Sequence, residues 1–234
     1  MTPALQFKNI AAGYGTTRVL HGVDLVVPAG KAVALLGANG AGKTTLLKIG
    51  AGVLRPFAGE VRIDGRVVTG QNATARASEG LCLIPEGHGI FRQLSVKENL
   101  AMYVKGKKVD EAIDKAASFF PILGQRLKQD AGTMSGGQQQ MLAVCRALVT
   151  DAHIILADEL SLGLAPVIVD EIFVAVEALL AEGRSLLIVE QYAERALSVV
   201  DYVYILNKGT VAFVGEPDQC VAEHVFARYV GSVA

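Results

Sequence analysis

No surplus of either charge marks this 234-residue chain, whose formal net charge is −1 at pH 7. Binding to a nucleic-acid backbone without sequence preference draws on a positive excess, so DNA and RNA are not expected as its main partners. Cysteine is scarce as well. Cys82, Cys145 and Cys220 lie in separate segments, without metal-ligand spacing and in odd number. This argues against a zinc site or a disulfide framework and for buried, reduced thiols in a cytosolic protein. A long hydrophobic run is also missing: MTPALQFKNI holds no basic stretch followed by an apolar one, and charges or glycines break every other apolar segment before it reaches spanning length. The expectation is a chain soluble by itself that can still dock on a membrane protein. Internal repeats, low-complexity tracts and long charge runs are absent too. What is abundant is apolar matter, 51% of residues, enough for one large domain or a core with an inserted subdomain.

Strand-like and helix-like segments alternate, which implies an α/β fold with a largely parallel sheet covered by helices on both faces. AVALLG, LCLIP, HIILAD and SLLIVE read as buried strands. LQFKNI, VDLVV and VRIDG read as shorter antiparallel strands of a side sheet, separated by Gly, Pro and Asp turns. YVYIL-NKG-TVAFVG reads as a hairpin, with Asn207 and Gly209 suited to positive φ. Residues 91–149 are mainly helical and form an insertion rather than a linker-bound domain. There Ser95 can cap a helix with Glu98 three residues on, VDEAIDKAASFF follows, and SGGQQQMLAVCRAL opens another helix.

The stretch GANGAGKTT, residues 37–45, fits G-x-x-x-x-G-K-[ST] between the strand AVALLG and the helix TTLLKIG. Gly37, Gly40 and Gly42 let backbone N–H groups, with those of Asn39, Thr44 and Thr45, curl around the phosphates of a nucleoside triphosphate such as ATP. Lys43 reaches the β and γ phosphates, and the Thr44 hydroxyl can ligate Mg²⁺. A plain glycine turn capping a helix is the competing reading. HIILADEL carries Asp158 and Glu159 to the C-terminal end of a buried strand, the usual ligand crevice of such sheets. Asp158 would hold Mg²⁺ through water, and Glu159 would orient a water and take its proton during attack on the γ-phosphorus. Taken alone, the two acids are also consistent with helix capping. TMSGGQQQ then supplies a second anion-binding helix start, with Ser135, Gly136, Gly137 and Gln138 at its head, where an ordinary serine cap is the simpler alternative.

With these three motifs the chain resembles the ABC-type ATPases over essentially its whole length. PEG…IF…LSV.ENL, SLGLAP and VEQ make it look like the LivF-like branch, the ATP-binding subunit of high-affinity branched-chain amino acid importers. The resemblance implies that Tyr14, between Gly13 and Gly15, lies against adenine, although a packed turn tyrosine is the alternative. It also implies that Ser135–Gln138 grip the nucleotide of a partner subunit, so that two ATPs are sandwiched head to tail. The implied partners are a related second ATPase subunit forming a heterodimer, two integral-membrane permeases and, indirectly, an external substrate-binding protein, at the cytoplasmic face of the membrane.

Four positions depart from the common pattern. Glu86 replaces a glutamine that senses Mg²⁺ or water. Gln191 replaces a switch histidine; it can hydrogen-bond the γ-phosphate but cannot exchange a proton near neutral pH, which leaves Glu159 as the base. Leu160 stands where proline follows the glutamate, so the Glu159 turn is expected to be less rigid. Ala165 replaces an aspartate that communicates across the dimer. His88, on a glycine-flanked loop, reads as surface or partner-facing. Importers of other amino acids, amides or urea, a soluble ABC regulator, and a P-loop small-molecule kinase are the competing functions; the last gives SGGQQQ no task.

Overall fold

A computed structural model describes residues 2–104, 108–190 and 193–222. The chain opens on a hairpin of β1 (Leu5–Tyr14) and β2 (Thr17–Val27), then enters the buried strand β3 (Ala32–Leu36) and helix α1 (Lys43–Gly50). Strands β4 (Ala58–Ile63) and β5 (Arg66–Val67) return to the hairpin, and α2 (Ala73–Ser78) leads to β6 (Leu81–Ile84). Helices α3 (Val96–Ala101), α4 (Lys108–Phe119), α5 (Pro121–Gln125) and α6 (Gly136–Val149) follow. The chain then re-enters the central sheet through β7 (Ile154–Asp158), α7 (Pro166–Ala181) and β8 (Ser185–Val189). It closes with α8 (Ala193–Leu197), β9 (Tyr202–Asn207), β10 (Thr210–Gly215) and α9 (Pro217–Ala222).

Two sheets result, as expected for an α/β core with an antiparallel side sheet. The side sheet has the order β2-β1-β4-β5 and is antiparallel throughout. The central sheet has the order β10-β9-β3-β8-β7-β6; β6, β7, β8, β3 and β9 run parallel and only β10 is reversed. Strands β3, β7 and β8 are buried on both faces, which is why they read as continuous apolar runs.

The strand period of two divides the core cleanly. Ala34, Leu36, Ile155, Ala157, Leu186 and Ile188 face one cluster with Leu142, Val144, Phe173 and Val176 of α6 and α7. Val33, Leu35, Ile154, Leu156, Leu187 and Val189 face the other, with Leu46, Leu47, Phe7 and Leu25 of α1 and the side sheet. At roughly 1.5–3 kcal/mol per buried aliphatic side chain, a one-residue slip of β7 would forfeit contacts on both faces, so its register is strongly specified.

Helix ends follow the local signals. Ser95 and Glu98 form a reciprocal capping box at α3, and Ser135 and Gln138 form one at α6. The hairpin turn differs from expectation by one residue. Lys208 (φ 47°) and Gly209 (φ 79°) take the positive-φ places, whereas Asn207 pairs with Thr210 as the last residue of β9. A two-residue turn that matches strand twist needs positive φ at both central residues, and here the ladder makes Lys208 one of them. Cys82 and Cys145 are free, buried thiols, and burial raises the Cys82 pKa to about 11.

Arg76 is fully buried and braces the far end of α1. Its guanidinium donates to the carbonyls of Ile49, of Gly50 (2.8 Å) and of Val68 (3.0 Å), and burial lowers its pKa to about 10. Terminal helix carbonyls have no partner within the helix, so this side chain supplies one. No described helix is long and apolar enough to cross a membrane.

Candidate functional site

Strand β3 ends at Leu36, and the chain then turns back through residues 37–42 before α1 begins. Gly37 (φ 150°) and Gly42 (φ 107°) hold backbone angles that favour glycine. A Cβ at Gly37 would collide with the Leu206 carbonyl, and one at Gly42 with the Leu20 side chain. Gly42 is the N-cap of α1 and caps no N–H through a side chain, so the helix start leaves its donors to the loop. Lys43 is 5% exposed, and its ammonium lies inside the loop, donating to the carbonyls of Gly37 (2.7 Å) and Ala38 (3.2 Å). Burial lowers its pKa, while the charges of Glu159 and Asp158 act to raise it.

Strand β7 delivers Asp158 beside this loop. The Thr44 hydroxyl donates to Asp158 Oδ1 at 3.3 Å. Burial raises the Asp158 carboxyl to about 6; the Thr44 hydrogen bond opposes that shift, and the charges of Glu159 and Glu86 add to it. The next residue, Glu159, stands at φ 51°, with its N–H bonded to the Val189 carbonyl at 2.8 Å. A glutamate in the left-handed region is held there by its surroundings, and such positions gather at functional sites.

One cleft of about 520 Å³, within the size of ligand pockets, collects most of these groups, while Gly37 and Asp158 lie outside its lining. Tyr14, Asn39, Gly40, Gly42, Lys43, Thr44, Thr45, Glu86 and Glu159 line it, joined by Val19 and Leu162, for which the sequence offers no signal. Tyr14 presents 48% of its surface at the rim. Lys43 and the glycine loop thus share one opening with the carboxylates of Glu86 and Glu159, an arrangement suited to the phosphates of a nucleotide. Thr44 and Asp158 are hard oxygen donors in mutual contact, which fits Mg²⁺ held by one or two protein groups plus phosphate oxygens. Among the described residues no cluster of three or more His, Cys, Asp or Glu forms a closed metal cage.

Other expected site residues fall elsewhere. Ser135, Gly136, Gly137 and Gln138 form the first turn of α6, outside the cleft lining, with Ser135 and Gly136 exposed. Gln191 lies outside the described residues. His88 is half-buried on its loop, and its Nδ1 contacts Gln140 Oε1 at 2.5 Å, which joins the Glu86 loop to α6. Arg146 makes a second tie between the same elements, donating to the carbonyls of Leu83 (2.7 Å) and Gly89 (2.6 Å). Leu160 anchors its turn through its side chain. It is 1% exposed and packs in the core below α6 and α7, and the turn donates the Ser161 N–H to Glu190 Oε1 at 3.2 Å. Sequence reasoning assigned no role to Glu190, although a glutamate closing the buried run SLLIV is itself the signal.

A glycine loop between strand and helix, an acidic pair at the end of a second parallel strand, and β8 running between the two strands define a P-loop nucleoside triphosphatase core. Residues 20–161 match the family described as ABC transporter. The chain belongs to that family, as an ATPase of the ABC type. It is 40% identical over 210 residues to the high-affinity branched-chain amino acid transport ATP-binding protein BraG of Pseudomonas aeruginosa, covering 88% of this chain and 90% of that one. It is 34% identical over 228 residues to the probable branched-chain amino acid transport ATP-binding protein LivF of Archaeoglobus fulgidus, covering 96% and 97%. In fold it matches the ADP conformation of MJ1267, an ATP-binding cassette of an ABC transporter, with a TM-score of 0.85 over 97% of this chain and 98% of that one, at 24% identity.

Proposed function

We propose that this chain is the ATP-hydrolysing subunit of an importer at the cytoplasmic face of the membrane, and that the cargo is a branched-chain amino acid. The observation that carries this reading is the single cleft shared by Tyr14, the glycine loop, Glu86 and Glu159, with Thr44 bonded to Asp158 beside it. The adenine of ATP stacks on Tyr14, and its phosphates take the N–H groups of residues 37–45 and the Lys43 ammonium. Thr44 and Asp158 would hold Mg²⁺, which would supply charge neutralisation at the β and γ phosphates. Glu159 orients the attacking water and accepts its proton, Glu86 orders water nearby, and Gln191 hydrogen-bonds the γ-phosphate.

The head of α6, Ser135–Gln138, grips the nucleotide of a related second ATPase subunit. Its exposure and its separation from the chain's own cleft support that division of labour. The helical segment of residues 91–149 thus acts as the arm that closes the dimer. Closure moves two permease subunits fed by an external binding protein, and hydrolysis to ADP and phosphate reopens the pair. The names borne by the Pseudomonas and Archaeoglobus relatives support the cargo.

For Glu159→Gln we expect ATP binding to persist and hydrolysis to slow by about 10²–10⁴-fold, the scale for losing a general base. Unchanged single-site turnover would remove Glu159 from that role. Purification of the tagged chain in mild detergent is expected to bring down two multi-spanning permeases and a second ATPase. Recovery with ribosomal or DNA-repair proteins alone would overturn the transport reading and leave the ATP chemistry standing.

A further inference from the structure

Strand β8 lies between the P-loop strand β3 and β7, and Glu190, the residue that follows it, is 1% exposed. A carboxylate taken from water to such a place is costly unless donors surround it. Its donors come from the turn that carries Glu159. Ser161 Oγ donates to Glu190 Oε2 at 2.5 Å, and Ser161 N–H donates to Oε1 at 3.2 Å. Burial is the largest influence on this carboxyl and pushes it up to about 7; the Ser161 hydrogen bonds and the Leu160 N–H favour its charged form, and the Glu159 charge opposes it.

The turn is therefore tied to two successive residues at the end of β8. Val189 receives the Glu159 N–H through its carbonyl at 2.8 Å, and Glu190 receives Ser161 through its side chain. Between the ties stands Glu159 at φ 51°, an angle that a non-glycine residue keeps only when its neighbours impose it. Leu160 contributes in two ways that proline cannot match together, with an N–H toward Glu190 and a side chain sunk into the core.

We propose that Glu190 is a positioning residue for the reaction, holding the 159–161 turn through Ser161 so that the Glu159 carboxylate points into the cleft. The inference rests on the base role proposed for Glu159. It assigns a mechanical task to the glutamate of VEQ, and it explains how a chain with leucine at position 160 keeps this turn in place.

The test is steady-state ATP hydrolysis by the full chain in its purified transporter complex, with ATP affinity and thermal stability measured on the same samples. For Glu190→Ala and Ser161→Ala we expect kcat to fall by about 10–100-fold, the scale of misplacing a catalytic group by about 1 Å. ATP affinity should stay within about 2-fold, because the phosphate-binding loop is untouched. The double variant should be little worse than Glu190→Ala alone, since both single changes remove the Ser161 Oγ–Glu190 bond and Glu190→Ala also removes the weaker backbone one. Glu190→Gln should recover most of the rate, its amide accepting from the Ser161 N–H and donating to Oγ.

An unchanged kcat in Glu190→Ala or Ser161→Ala would overturn the inference. So would a loss of ATP affinity and stability parallel to the loss of rate, with glutamine no better than alanine. Ser161→Ala removes only a hydroxyl, so it keeps the question open to measurement if Glu190→Ala fails to fold. Glu159→Gln run alongside separates the two readings: slowed turnover there with normal Glu190→Ala defeats the positioning role alone, and normal turnover there defeats the base assignment itself.

Discussion

Helices α1 and α6 both end on carbonyls held by an arginine, yet their first turns are built in opposite ways. Arg76 bonds the Gly50 carbonyl at 2.8 Å, and Arg184 bonds the Ala147 carbonyl at 2.6 Å. At the other end, α1 begins on Gly42 with no side-chain cap and a buried lysine curled into its loop. Helix α6 begins on Ser135, exposed, with a reciprocal but long pair of hydrogen bonds to Gln138 at 3.3 and 3.4 Å. An uncapped start leaves N–H donors for a ligand in its own cleft. A capped one stands in water by itself and can exchange weak cap bonds for a phosphate presented by another subunit.

Three substitutions break or sharpen that contrast. The largest effect is expected at the head of α1. Lys43→Ala should lower turnover by about 10²–10³-fold, the scale for removing a donor to developing charge, and should weaken ATP binding as well; stopped-flow binding and phosphate release read both. Normal affinity and rate would dismiss the loop as the phosphate seat. Next is the tail of the same helix: Arg76→Met should destabilise the fold by about 1–3 kcal/mol for buried carbonyls left without a donor, read from urea unfolding. An unshifted midpoint would mean that the carbonyls find other partners. Smallest is the head of α6, where Ser135→Ala should cost about 1 kcal/mol of cap. It should leave ATP binding by the single chain intact while weakening ATP-driven association with the second ATPase subunit, measured by size-exclusion chromatography with Glu159→Gln in the background. Weakened binding in the isolated chain would erase the distinction between the two heads.

Most of what separates these helices is legible along the chain, because each head is a local device. Spacing of Gly37, Gly42 and Lys43 dictates a phosphate loop, and Ser135 with Gln138 spells a capping box within four residues. The parallel strands are legible for a related reason, since burial on both faces leaves unbroken apolar runs. Contacts that join distant segments are not visible this way. Ser161 and Glu190 meet across 29 positions, and His88 meets Gln140 across 52. Short helices escape as well: α2 and α5 have six and five residues, too few to form by propensity, and exist because the surrounding fold holds them. The hairpin turn shows the limit at its finest scale. N-K-G offers two residues with a taste for positive φ, and cross-strand pairing of Asn207 with Thr210, not propensity, chooses Lys208 instead.

Alternation along β7 has a consequence for how such a chain can change. Ile155 and Ala157 serve one core cluster, Ile154 and Leu156 the other, and Asp158 is the next step of the same count. Inserting or deleting a single residue in this strand would turn the carboxylate away from Thr44 as surely as it would invert the packing. Insertions and deletions are therefore expected to be tolerated only beyond the strand ends, where a replacement such as Leu160 leaves the spacing from core to carboxylate constant.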